Sequence, residues 1–147
     1  MKQILVLYYS RTGNTETMAK AVAEGAQIND NIKVELTFHV APEELSAFDA
    51  ILVGAPTYYH EMPLDFKNLF EETAVKGLSL NGKVGAAFGS YGWSGEAPKL
   101  ILEIMKNKFG MQVVEPPLLA KYLPDQKMLA SCRELGKRIS ENLMSKA

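Results

Sequence analysis

Residues 4–15 read ILVLYYSRTGNT, six apolar residues followed directly by a polar loop with a single glycine. An unbroken apolar run of this length is typical of a strand covered on both faces in a parallel sheet. After the loop, with Asn14 as the expected N-cap, apolar residues recur at helical spacing: Met18, Val22, Ala23 and Ala26. The stretch therefore predicts a strand, a polar loop and a helix, the repeating unit of an α/β fold.

The same unit returns four more times along the chain. Residues 50–55 and 84–89 are two more apolar runs without alternation, as expected for central strands. Residues 34–40 alternate apolar and polar, and residues 111–120 are interrupted by Pro116-Pro117, so both are expected at sheet edges. Three buried strands and two edge strands predict a doubly wound, five-stranded parallel sheet in the order 2-1-3-4-5, with helices on both faces.

The other helices are predicted from apolar stripes with a period near 3.6 residues. Pro63 suits the first turn of the second helix, and a short helical turn fits near Pro42. The stripes of the second, third and last helices are Phe66, Leu69, Phe70 and Thr73; Leu100, Ile101, Ile104 and Met105; and Met128, Cys132, Leu135, Ile139 and Leu143.

The composition excludes several classes of protein. The chain has 147 residues and a formal net charge of −1, so it fits a single domain, residues 1–147, and gives no reason to expect nucleic acid or a membrane as partner. No apolar run approaches the roughly 20 residues of a membrane span, and residues 4–9 are too short for the core of a signal peptide. One cysteine, Cys132, excludes an internal disulfide and a multi-cysteine metal site. We therefore expect a monomeric, cytoplasmic protein without a metal site.

The first polar loop has the composition of a phosphate site. It reads Ser10-Arg11-Thr12-Gly13-Asn14-Thr15 and combines hydroxyls, an amide and backbone N–H groups at a helix N-terminus. Such donors hold an anion without a metal or a lysine. The Gly-Lys-Ser/Thr ending of nucleoside triphosphate loops is missing, and so are the three spaced glycines of dinucleotide folds. The loop therefore predicts a site for a terminal monophosphate; the alternative is a polar turn that only caps the helix.

Two further loops follow the other central strands. Pro56-Thr57-Tyr58-Tyr59-His60 places two adjacent aromatic rings after residues 50–55, where a flat apolar ligand would cover them. Its alternative is a surface loop whose tyrosines fold back on the next helix. Ser90-Tyr91-Gly92-Trp93-Ser94-Gly95 follows residues 84–89 and holds the only tryptophan, in a segment whose glycines allow close approach of a ligand. In a parallel sheet all three loops lie at the same edge, beside the point where strand order reverses.

At these residues the sequence resembles the flavodoxin family over its whole length. The first loop resembles the phosphate loop of that family, usually written S/T-x-T-G-N-T. Residues 89–93, Gly-Ser-Tyr-Gly-Trp, are similar to the isoalloxazine loop of short-chain clostridial flavodoxins and to the flavin domain of flavo-diiron proteins. The resemblance implies a flavodoxin-like fold that binds one FMN non-covalently and transfers electrons between a reductase and a low-potential acceptor protein.

The resemblance also implies a role for each site residue. Ser10, Thr12, Asn14 and Thr15 would hold the FMN phosphate, while Arg11 would face water. Trp93 would stack on the solvent-side face of the isoalloxazine and Tyr58 on the inner face. Backbone groups of residues 57–60 and 90–95 would meet the polar edge of the ring.

Residues 59 and 60 depart from the family pattern. Short-chain flavodoxins often carry a glycine beside N5 of the flavin, where a peptide flip forms a hydrogen bond to the one-electron-reduced ring; this chain has Tyr59 there, followed by His60. Because a flip to positive φ is costly for a bulky residue, we expect a smaller separation between the two one-electron potentials than in those relatives. Potentiometric titration measures this separation, and a wide one would contradict the hypothesis. A protonated His60 close to the ring would favour the reduced, anionic flavin.

Proteins of this fold class also have functions other than electron transfer. An FMN-dependent NAD(P)H:quinone reductase of the same fold is the nearest enzymatic alternative, and a flavin module working with a flavo-diiron-type oxidoreductase is another. A phosphoreceiver domain needs acidic residues after the first and third strands, where this chain has Tyr9-Ser10 and Ala55-Pro56. A low-molecular-weight tyrosine phosphatase needs its cysteine after the first strand, but Cys132 lies on the apolar stripe of the last helix, which favours a packing role. In the preferred interpretation the chain has no catalytic residue of its own.

Overall fold

The computed structural model describes residues 1–58 and 60–145. Its strands form one parallel sheet. The strands are β1 (Lys2–Tyr8), β2 (Ile32–Thr37), β3 (Ala50–Gly54), β4 (Val84–Tyr91), β5 (Gln112–Val113) and β6 (Leu118–Lys121). The helices are α1 (Asn14–Ala26), α2 (Leu64–Val75), α3 (Glu96–Glu103) and α4 (Gln126–Ser145), with a short 3-10 helix at Pro42–Ala47 and one π turn, Ile104–Lys108, continuing α3.

The strand order is β2-β1-β3-β4-β5, which confirms the predicted order 2-1-3-4-5. The fifth position is divided between two short strands that both pair with β4. β5 pairs with the start of β4 (Val84↔Gln112), and β6 pairs with its end (Tyr91↔Lys121). Pro116-Pro117 separates them because proline has no N–H to donate to the ladder.

Each face of the sheet carries its own core. Side chains alternate along β1, so Leu5 and Leu7 pack under α2 and α3, while Ile4 and Val6 pack under α1 and α4. Helices therefore cover both faces, as predicted. Cys132 is fully buried in the second core, and burial raises the pKa of its thiol to about 11, which confirms the predicted packing role. No helix among the described residues is both long and apolar enough to cross a membrane.

Helices α1 and α4 pack against each other at close range. A Cβ atom added to Gly136 would lie 2.1 Å from the carbonyl oxygen of Val22, and one added to Gly25 would lie 1.9 Å from that of Arg133. The Ser140 hydroxyl donates to the carbonyl of Ala26 at the same crossing. The two glycines therefore allow the backbones of these helices to touch.

Some predicted boundaries are wrong. Asn14 is the first residue of α1 and not its N-cap; Gly13 holds the N-cap position, because its φ of 91° lies in the left-handed region that glycine adopts without strain. Pro63 precedes α2 and is not in its first turn. β4 extends two residues beyond the predicted 84–89, because pairing with β6 continues the ladder through Ser90 and Tyr91.

Candidate functional site

The three loops meet at the carboxyl edge of the sheet. β1, β3 and β4 are parallel neighbours, so the loops that begin at Tyr9, Ala55 and Gly92 emerge side by side. A hydrogen bond between the Thr15 and Ser90 hydroxyls (3.0 Å) joins the first loop to the end of β4. The Ala97 N–H donates to Thr57 Oγ1 (2.9 Å) and joins the second loop to the start of α3. The predicted site residues that the structure describes are thus brought into one cluster; Tyr59 lies outside the described residues.

The first loop presents donors that lack protein partners. The Gly13 N–H donates to Ser10 Oγ (3.0 Å), which closes the turn into α1. No side chain caps α1, so the N–H groups of its first turn have no intrahelical acceptor. Among the described residues, neither the Thr12 hydroxyl nor the Asn14 amide has a hydrogen-bond partner, whereas the Thr15 hydroxyl is buried against Ser90. A Cβ on Gly13 would meet nothing within 4 Å, so the space before the helix is open.

The second loop is a tight turn with a half-buried aromatic ring. Tyr58 and Glu61 exchange two backbone hydrogen bonds (3.1 and 2.8 Å), and His60 between them has a φ of 65°. The Tyr58 ring packs edge-on against Tyr9, and the Arg11 guanidinium lies 5.4 Å from its centre. Burial raises the pKa of Tyr58, and the charge of Arg11 partly opposes this. Arg11, expected to face water, is exposed but also covers one face of Tyr58.

The third loop carries an aromatic ring that is almost fully exposed. Trp93 is 87% exposed, so the expectation that it is not a core residue is confirmed. Behind it, a Cβ on Gly95 would lie 3.1 Å from Leu119, so the loop packs closely on β6. Ser90 and Tyr91, predicted as loop residues, belong to β4, and Pro56 is buried behind the second loop. The backbone around Trp93 is therefore packed against the sheet, while the Trp93 ring itself projects into solvent.

A polar cluster links the second loop to α3. His60 Nδ1 lies 2.8 Å from Glu96 Oε1 and 3.1 Å from Ser94 Oγ, and the His60 ring lies 5.3 Å from the Trp93 ring. Hydrogen bonds from Ser94 and His60 lower the pKa of Glu96 to about 2, so its carboxylate is ionised at neutral pH. Its second oxygen, Oε2, is covered and has no hydrogen-bond partner among the described residues.

Sequence reasoning missed two residues at this edge. Tyr122 follows β6, has a φ of 61°, donates its N–H to the Tyr91 carbonyl (2.6 Å) and places its ring beside Gly92. Its position just after the fifth strand was the available signal. The role of Glu96 as partner of His60 had no local signal, because 36 residues separate them.

The arrangement fits a ligand with one phosphate and one flat ring. Open donors at the start of α1 suit a phosphate, while Tyr58 and Trp93 suit the ring. The orphaned Glu96 oxygen leaves an acceptor free for a further donor. Together with the strand order, these features are typical of the α/β nucleotide-binding proteins whose site lies at the switch point of the sheet.

Comparisons with known proteins agree with this class. The family model for flavodoxin matches residues 6–136. A flavodoxin of Clostridium beijerinckii is 34% identical over 140 residues, covering 92% of this chain and 97% of that protein. A solved archaeal flavodoxin superposes with a TM-score of 0.88 at 41% identity, over 97% of this chain and 99% of that one.

The chain belongs to the flavodoxin family, and the predicted fold and FMN as cofactor are confirmed at the level of that family. Longer proteins match as well. The type A flavoprotein of Rhodobacter capsulatus is 33% identical over 99% of this chain, but the chain spans only 34% of its length. A flavodiiron core from Synechocystis shares the fold, with a TM-score of 0.86 at 24% identity, over 99% of this chain and 37% of that one.

Proposed function

We propose that this chain is an electron carrier that holds one FMN non-covalently at the carboxyl edge of its sheet and has no catalytic acid or base of its own. The observation that carries the proposal is the combination of open, unpartnered donors at the start of α1 with an 87% exposed Trp93 on the neighbouring loop. It acts as a single cytoplasmic domain and as a monomer, exchanging electrons with a reductase and a low-potential acceptor protein.

Each part of the cofactor has residues suited to it. Thr12, Asn14 and the first-turn N–H groups of α1 would donate to the phosphate, with Ser10 and Thr15 holding the loop in shape. Trp93 would cover the solvent-side face of the ring, and Tyr58 would meet the inner face. Bound FMN supplies one-electron and two-electron redox chemistry, which is the chemistry of the cofactor. The protein binds and orients it, limits its contact with water and leaves one edge open to a partner.

The near-neutral net charge of the chain affects how a partner protein would be attracted to it. A net charge of −1 gives little long-range steering of a basic partner, so the encounter depends on local contacts around the site. Among the described residues no group of three or more His, Cys, Asp or Glu is placed to hold a metal ion. Trp93, 87% exposed, marks the open side of the site, and electrons would enter and leave through the flavin edge beside it.

The visible spectrum of the purified protein tests the proposal. We expect flavin absorbance bands that are lost on acid treatment with release of FMN. A colourless protein that does not take up added FMN would overturn it. Steady-state assays with NADH, NADPH and a quinone separate carrier from reductase, because we expect no turnover unless a separate reductase is added.

Trp93 provides a second test that needs no assay of function. Since it is the only tryptophan, its fluorescence should be quenched when FMN is added to the apoprotein. Replacing it, Trp93→Ala, removes burial worth about 1.5–3 kcal/mol for a covered ring, so FMN should bind roughly ten- to a hundredfold more weakly. Fluorescence titration of FMN itself measures the variant; unchanged affinity would contradict the stacking role.

A further inference from the structure

We propose that His60 is a proton-binding positioning residue of the flavin site: it takes up one proton from solvent as the flavin is reduced, and so makes the reduction potential depend on pH between about 5 and 8. This inference rests on the proposed function above. It goes beyond it because electron transfer by a flavin does not require a protein side chain to change its charge.

The first step of the argument is the hydrogen bonding of the imidazole. A carboxylate only accepts, so the Nδ1 that lies 2.8 Å from Glu96 Oε1 carries a hydrogen and donates it. The neutral ring then has its free acceptor at Nε2, and Nε2 is the atom that gains the second proton. The Glu96 carboxylate stays ionised, so a fixed negative charge lies beside this ring.

The second step is the placement of that pair. The His60 side chain is 56% exposed, so protons reach it from solvent without any opening of the fold. Its ring lies 5.3 Å from the Trp93 ring, and it belongs to the turn that begins at Tyr58, so it adjoins both residues proposed to cover the flavin. His60 is therefore both accessible to solvent and part of the site wall.

The third step is the charge balance. Glu96 faces His60 from α3, with Ser94 and Trp93 from the third loop; on its own turn His60 is flanked by Tyr58 and Glu61. From the first loop, the Arg11 guanidinium brings a positive charge over the Tyr58 ring. With His60 neutral, Glu96 leaves a negative charge beside the site that opposes addition of an electron. With His60 protonated, the pair is neutral and reduction is easier.

Protons and electrons balance in this scheme. The electron comes from the reductase and resides on the flavin, and the proton comes from solvent and resides on Nε2 of His60. When the electron passes to the acceptor protein, the Nε2–H bond breaks and the proton returns to solvent. A unit charge within several ångströms at a protein surface changes an equilibrium constant by about threefold to about thirtyfold.

The left-handed backbone of His60 decides which variant is suitable. Asparagine adopts a φ of 65° at least as readily as histidine, so His60→Asn removes the titrating ring without adding backbone strain. Glu96→Gln removes the fixed anion but leaves the turn intact. His39→Gln is the matched control, because His39 is the only other histidine and is an exposed residue just beyond β2.

The experiment is potentiometric titration of the FMN-loaded full chain from pH 5 to pH 8.5. We expect the potentials of the parent protein and of His60→Asn to coincide near pH 8.5 and to separate as the pH falls. At low pH the potential of the parent should be higher by at least about 30 mV, which corresponds to a threefold change in a one-electron equilibrium. Glu96→Gln should raise the potential at pH 8.5, because it removes the negative charge beside the site. His39→Gln should follow the parent curve.

Two results would overturn the inference. One is a potential curve for His60→Asn parallel to the parent curve at every pH, measured on variants that retain flavin absorbance. The other is an NMR titration of the His60 ring protons with the same midpoint in the oxidised and reduced proteins, since we expect a higher midpoint in the reduced protein. If His60→Asn does not fold, the potential curve of Glu96→Gln and the NMR titration test the inference instead. Failure of the parent chain to bind FMN would instead overturn the proposed function.

Discussion

Riboflavin is expected to bind this protein roughly a thousandfold more weakly than FMN. The two ligands differ only in the phosphate, which the open donors at the start of α1 would hold. Two hydrogen bonds to a charged group, at about 1.5–3 kcal/mol each, together with the helix terminus at about 0.3–1 kcal/mol, give a loss of about 4 kcal/mol. Titrations of the apoprotein with both ligands, followed by Trp93 fluorescence, measure the ratio directly.

Two substitutions locate that effect within the first loop. Thr12→Val removes one hydroxyl without changing the shape of the exposed side chain. The affinity for FMN should therefore fall about tenfold, while the affinity for riboflavin should not change. Trp93→Ala removes the contact with the isoalloxazine ring that both ligands share, so it should lower the affinity for both by the same factor. If Thr12→Val weakens both ligands equally, or if FMN and riboflavin bind alike, the phosphate is not held by this loop.

Gly136→Ala is expected to destabilise the fold strongly, although alanine is normally favoured in helices. The added Cβ would lie 2.1 Å from the Val22 carbonyl oxygen, and no side-chain rotation relieves a clash with backbone. Separation of α1 from α4 should therefore lower the free energy of unfolding by about 2–3 kcal/mol, after the helix-propensity gain of about 1 kcal/mol. Thermal unfolding should show a melting temperature lower by roughly 5–10 °C.

The neighbouring residue provides the control for that substitution. Lys137 is exposed on the same turn of α4, so Lys137→Ala introduces the same residue without a clash and should change stability by less than about 0.5 kcal/mol. Equal stabilities of Gly136→Ala and Lys137→Ala would mean that the helices do not need this close approach.

The fold could be predicted because a strand that is buried on both faces of the sheet consists of apolar residues without interruption. The unbroken apolar runs of β1, β3 and β4 marked the three central strands, and Pro116-Pro117 marked a strand that could not be central. What could not be predicted was how far pairing continues: β6 extends the ladder of β4 to Tyr91, which depends on a partner about 30 residues away. Strand ends are decided by such non-local partners, whereas strand centres are decided by local burial.

The site divides in the same way. The first loop could be predicted, because its polar residues and glycine act through backbone geometry within six residues. The contacts between loops could not. Arg11 over Tyr58 and His60 on Glu96 join residues 47 and 36 positions apart, and single polar or charged residues carry no signal of their distant partner. The residues that sequence predicts best are therefore those proposed to bind the phosphate, and those that it predicts least well are the ones proposed to tune the flavin.

The division of the outermost strand has a consequence for colloidal behaviour. An open sheet exposes two edges, and a long regular edge can recruit a strand from another molecule. Here one edge is broken into strands of two and four residues by a proline pair that cannot donate, and the other, β2, carries the charged Lys33 and Glu35. Neither edge offers a continuous apolar ladder, so concentrated solutions of the protein should resist edge-to-edge aggregation.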